Sequence, residues 1–218
     1  MELTSTLLSP SERERILRAM VELCSERGYE ATTVAAVSGR AGVSEEVFAG
    51  LFASKEACAT DAHAAILSEV LVIVGGSYSP DHSEWESVIF GVQAILEFMA
   101  ANPSVARMGY VVARQLGPSK LKDSYETGIR AVAAMMDRGR AYSTLRSQPS
   151  TTARAALGSA EAIVRREVMA GRAEQLPRLL PDFVYAATVP FLGQVEALRL
   201  SRQAQRMLDG QQGGSRGP

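Results

Sequence analysis

Residues 32–56, TTVAAVSGRAGVSEEVFAGLFASKE, constrain the fold more than any other stretch of this 218-residue chain. A short apolar segment with Val34 and Val37 leads into a turn at Ala41-Gly42-Val43. A second short segment with Val47, Phe48 and Leu51 follows at once. Thr33 and Ser44 stand where helix N-caps are wanted, because a short hydroxyl side chain accepts from the unpaired N–H groups of a first turn. Gly42 supplies the residue at positive φ that a tight inter-helix turn commonly needs. Val37 and Val43 then pack beneath the two helices and hold their crossing. This spacing predicts a helix-turn-helix, in which one helix crosses the DNA backbone and the next enters the major groove.

The rest of the chain reads as helix, with no alternating strand pattern and no internal repeat. Ser9-Pro10-Ser11-Glu12 predicts a helix start, with Ser9 as cap, Pro10 at the first position and Glu12 closing a capping box. Ile16, Leu17, Met20, Val21, Leu23 and Cys24 recur at helical spacing, and Gly28 marks the stop. Ser54 caps a fourth helix running to Gly75-Gly76. Further helices are expected over 84–101, 104–116, 119–146, 151–170 and 182–208, the last bent by Pro190. The expected fold is therefore all-α with about nine helices. It divides into a head at 1–58, a larger helical part at 59–208 and a flexible tail at 209–218 that lacks apolar anchors.

Composition narrows the function. Twenty-three basic residues oppose 24 acidic ones, for a net charge of −1, so no global field announces a nucleic-acid partner. Any DNA contact must rest on a local surface. The apolar run from Ala62 to Val74 is interrupted by His63, Ser68 and Glu69 and reads as too short to span a membrane. With no N-terminal signal segment, a cytoplasmic protein without a membrane partner is expected. Cys24 and Cys58 fall inside apolar helical patterns and read as buried, reduced thiols. His63 and His82 sit on different elements, away from any metal-spaced cluster. Neither a phosphate loop nor a nucleophile motif is found, so no catalytic residue, cofactor or metal is expected.

The stretch Ile16 to Cys58 resembles the TetR family of bacterial transcription regulators. The resemblance rests on Ile16-Leu17-x-Ala19, Gly28-Tyr29-x-x-Thr32-Thr33-Val34, Val37, Arg40-Ala41-Gly42-Val43-Ser44, Phe52 and Lys55-Glu56. It implies a homodimer that binds double-stranded operator DNA, commonly a repressor, released when a small-molecule effector enters the helical core. By position, Thr33, Ser44 and Lys55 would hold phosphates, and residues 44–49 would face base edges, bringing Glu45, Glu46 and Phe48 to the interface together with Arg40. Two departures matter: Ala49 stands where the family usually has Tyr, and Glu45 and Glu46 open the reading helix. Residues 11–60 hold six basic and eight acidic side chains, a net charge of −2. Since phosphate neutralisation dominates DNA affinity, a second expectation stands beside the first: a dimer of this fold that has lost its operator and serves as a ligand-binding or interaction protein. An acid in the groove could instead accept from cytosine N4.

Aromatic and Met residues on the middle helices read either as core or as the lining of a ligand cavity. The candidates are Trp85, Phe98, Met108, Tyr110, Tyr125 and Met135, with Arg114 as a polar group and Gln93 and Arg107 beside it. Small residues make the last two helices smooth. Leu157, Ala160, Ile163, Phe183, Ala187 and Leu192 are the candidates for a two-fold dimer interface, with an intrachain core as the other explanation.

Overall fold

The computed structural model describes residues 10–113, 120–137, 141, 143 and 149–214. Among these residues there are nine α-helices and no strand. The head comprises α1 (Glu12–Arg27), α2 (Val34–Ala41) and α3 (Glu45–Leu51), followed by α4 (Lys55–Gly76). The body adds α5 (Glu84–Ala101), α6 (Pro103–Arg107), a π-helical turn (Met108–Val112), α7 (Lys120–Asp137) and α8 (Thr152–Met169). A 3₁₀ turn (Ala173–Leu179), not foreseen in the sequence, leads into α9 (Leu180–Gly214).

Local chemistry sets the helix ends. Thr33, Ser44 and Ser54 each accept a backbone N–H three residues on, at Ala36, Val47 and Ala57. Gly42 closes α2 at φ 65° and ψ 43°, the left-handed conformation that the turn demanded. The first helix starts two residues later than expected. Its cap is Ser11, which exchanges hydrogen bonds with Glu14 in a capping box. Ser9 and Glu12 show the same spacing two residues earlier, so the motif alone left two registers open; Ser9 lies outside the described residues.

Other boundaries also differ. The expected helix over 104–116 is a short α-helix that widens into a π turn, and residues 114–119 lie outside the described residues. The run over 119–146 is helical to Asp137 and is no longer helical at Ser143. The break in α9 falls at Gly193 (φ 75°, ψ 173°), three residues past Pro190. Glycine alone tolerates that conformation comfortably, whereas a proline only weakens the ladder of its own turn. The Ser143 hydroxyl donates to the Phe191 carbonyl at 2.6 Å, one of the carbonyls released by the break. The expected flexible tail is helical as far as Gly214, and residues 215–218 lie outside the described residues. Finally, α4 has 22 residues and contains an 18-residue window with a mean hydropathy of 1.6, long and apolar enough to cross a membrane by length and composition. In this fold it packs instead against α1, α5 and α7.

Two apolar clusters organise the molecule. The first gathers Ile16, Met20, Leu23, Cys24, Val37, Phe48, Phe52 and Cys58 from the head with Met108, Val112, Tyr125 and Ile129 from the body. The second joins α5, α8, the 3₁₀ turn and α9 around Ile89, Leu96, Val111, Leu176, Leu180 and Phe191. The π turn therefore belongs to both. Met108 and Val112 face the head, and Val111, three residues from Met108, faces the body. Cys24 and Cys58 are buried free thiols, as their apolar surroundings predicted.

Candidate nucleic-acid interface and internal cavity

The exposed face of α3 carries Ser44, Glu45, Glu46 and Ala49. Phe48, placed in the interface by sequence, is only 2% exposed; its ring lies 5.4 Å from Phe52 in the first cluster, so it holds α3 down and does not reach out. Glu46 turns back on its own helix start. The Ser44 hydroxyl and its own backbone N–H hold its carboxyl below the usual carboxylate range. Both acids occupy the first turn of α3, where negative charge complements the helix dipole.

The head's cations are largely engaged within the chain. Arg40 is gripped by Glu26 at 2.9 and 3.0 Å and by Glu22 at 3.1 Å, tying α2 to α1. These carboxylates raise the Arg40 pKa, and the Arg40 bond holds Glu26 below the usual range. Arg13 pairs with Asp61 at 2.7 Å and lies over the Phe52 ring. Arg15 donates to the Ala41 carbonyl at 3.0 Å. Lys55 donates to the Tyr29 carbonyl at 3.1 Å with its ammonium 4.1 Å from the centre of the Tyr29 ring. That anchor keeps Lys55 beside the N-terminus of α4. Arg18 and Arg27 form no ion pair among the described residues.

Behind the head, the body forms a partly open cavity of about 190 Å³. Val70 and Val74 of α4, Trp85, Ile95 and Met99 of α5, and Ile129, Val132 and Met136 of α7 supply most of its apolar wall. Tyr110 of the π turn lines it as well. Trp85 and Tyr110 thus stand where sequence put them. Met108 does not: it is fully buried in the head's cluster. Phe98 is absent from the lining, while Gln93 bonds Glu97 on its own helix at 2.8 Å. Tyr125 faces a separate polar cleft of about 450 Å³ with Lys122, Glu126 and Arg154. Arg114 lies outside the described residues, and so does the Met135 side chain.

The interface candidates fare differently from expectation. Leu157, Ala160, Phe183 and Ala187 line the cavity within one chain. Leu192 is buried in the second cluster, and Ile163 packs against it. Helical period explains this: the small residues at 156 and 160 lie on the inward face of α8, where their lack of bulk leaves room for the cavity. The outward face presents Ala155, Gly158, Ala162 and Met169 on α8, with Val195 and Leu198 on α9.

One buried carboxylate was missed. Glu161 is 6% exposed and forms part of both the cavity wall and the polar cleft, and it accepts a hydrogen bond from the Tyr125 hydroxyl. Burial, then the charge of Glu161 and the neighbouring Tyr125, push the Tyr110 phenol up. An acid in a helix of alanines and arginines looks like a solvated charge, and only its position on the inward face reveals it.

These parts define an all-helical protein with a helix-turn-helix head. Residues 16–62 match the model of "Bacterial regulatory proteins, tetR family". The fold is similar to that of the fatty acid degradation regulator FadR from Bacillus halodurans, with a TM-score of 0.72 at 15% identity over 86% of this chain and 98% of that one. It is also similar to FadR from Bacillus subtilis solved with stearoyl-CoA, with a TM-score of 0.68 at 16% identity over 83% and 98%. A transcriptional regulator from Rhodococcus sp. RHA1 gives 0.65 at 17% identity over 92% and 97%. No curated protein matches by sequence. Residues 16–62 thus carry a TetR-family helix-turn-helix domain, and the chain as a whole has the fold of the TetR-like regulators it is similar to.

Proposed function

We propose that this protein is a dimeric, cytoplasmic repressor whose head, residues 1–58, binds operator DNA and whose body, residues 59–208, binds a small apolar effector that releases it. The observation that carries this reading is the shared π turn. Tyr110 lines the cavity while Met108 and Val112, on either side of it, pack in the core of the head. A ligand that displaces Tyr110 must move the residues seating α1, so occupancy biases the spacing of the heads by its differential affinity for the two arrangements. Glu56 of α4 adds a second tie by accepting the Lys120 backbone N–H of α7 at 3.1 Å. The dimer seam in this reading is the outward face of α8 and α9, continuing through Val195 and Leu198. DNA would be clamped by Thr33, Ser44 and Lys55 through helix N-termini and read by Glu45 and Ala49.

Acyl-CoA, the ligand in the B. subtilis structure, is one chemistry to compare with this cavity. A second functional reading is a dimer without an operator, and the engaged cations of the head favour it. Selection from a randomised duplex pool decides between them. The regulator reading expects enrichment of an inverted repeat with half-sites about one helical turn apart, or a multiple of it. Enrichment of nothing leaves the second reading.

A further inference from the structure

We infer that Glu45 selects cytosine at one position of each operator half-site, its carboxylate accepting from the cytosine N4 amino group in the major groove. This deepens the operator reading proposed above and rests on it.

The reading helix leaves few groups that could do this. Its sequence, EEVFAGL, holds no Arg, Lys, Asn or Gln, the side chains that bond guanine or adenine in pairs of hydrogen bonds. Phe48 is buried, while Ala49 and Gly50 are exposed but have no side-chain group that can hydrogen-bond. The two acids differ from each other. Glu46 is engaged at its own helix start by the Ser44 hydroxyl and its own backbone N–H. Ser44 is occupied as the cap, accepting the Val47 N–H at 3.3 Å. Glu45 is exposed and forms no ion pair or side-chain hydrogen bond among the described residues. It shares a face with Ala49, four residues on, whose methyl adds little bulk to hold α3 off the bases. Base chemistry then ranks its partners, because an ionised carboxylate only accepts. Guanine shows N7 and O6 in the major groove and thymine shows O4, all acceptors that oppose it. Adenine sets its N6 donor beside the N7 acceptor. Cytosine alone presents a donor, N4, with no acceptor beside it on the same base.

The test repeats selection from a randomised duplex pool with the full chain as wild type, Glu45→Gln and Glu46→Gln. Each variant removes one negative charge from the same exposed turn, so general electrostatics change alike and only the base preference separates them. Wild type is expected to enrich a cytosine at one position of each half-site. Glu45→Gln should exchange that cytosine for adenine, whose N6 and N7 a glutamine amide bonds together. Glu46→Gln should keep the cytosine. In anisotropy titrations of the selected duplex, replacing that C·G pair by T·A should weaken wild type by about fivefold or more, the cost of a mismatched pair. The same replacement should cost Glu45→Gln less than it costs wild type. A site with no fixed cytosine, a site unchanged in Glu45→Gln, or a cytosine lost in Glu46→Gln overturns the inference and leaves operator binding standing. A pool in which wild type enriches nothing overturns the operator reading and this inference together.

Discussion

Releasing Arg40 is the sharpest test of how the head meets DNA. In the folded chain two carboxylates on α1 hold it, at distances of 2.9–3.1 Å. The double variant Glu22→Gln, Glu26→Gln removes both charges while keeping side-chain shape, and moves the net charge of residues 11–60 from −2 to 0. If Arg40 lies at the phosphate surface, its release adds one neutralised phosphate per head. The slope of log affinity against log salt should then steepen by about 0.9 for one head and about 1.8 for two. Between 50 and 200 mM salt the variant should lose roughly 3.5-fold more affinity than wild type per head, or roughly 12-fold for a two-headed complex. Both carboxylates are solvent-exposed, so thermal stability should change little. Fluorescence anisotropy of a labelled non-specific duplex reads the slope without knowledge of the operator. A variant slope equal to that of wild type would refute the placement of Arg40 at the interface.

Three further outcomes are expected. Met108→Ala empties a fully buried site where head meets body and should cost about 2–5 kcal/mol, with a Tm fall of several degrees by calorimetry; a loss below about 1 kcal/mol would mean the joint collapses around the gap. Val195→Asp alters a residue 84% exposed in one chain and should halve the mass seen by light scattering without unfolding the protomer; an unchanged mass moves the seam elsewhere. His63 is held neutral by burial, its pKa lowered to about 4 against about 6.5 in the unfolded chain. Because the unfolded state then binds the extra proton, stability should fall as pH drops from about 6.5 towards 4. His63→Asn should flatten that slope between pH 6.5 and 5 in denaturant titrations, and an equally steep slope in the variant would assign it to other groups.

The head was legible in the chain because its signals are local. Caps at Thr33, Ser44 and Ser54 and the left-handed glycine at position 42 act within three or four residues, and each stands where its neighbours required it. The first cap shows the limit of such signals, since Ser9 and Ser11 offer the same spacing to an acid and the helix is capped by Ser11. The pairing of Arg40 with Glu22 and Glu26 joins residues 14 and 18 positions apart and needs the crossing of α1 and α2 to exist. In the body the sequence determined that α8 would be smooth and apolar on one face. Whether that face meets a second chain or a cavity is decided by which helices lie opposite, and α4, α5, α7 and α9 place it inward. The same placement turns Glu161 from a helix-surface acid into a buried acceptor and sends Met108 to the head while Tyr110, two residues on, lines the cavity. Helical period says which residues share a face, but only the packed helices say what that face touches.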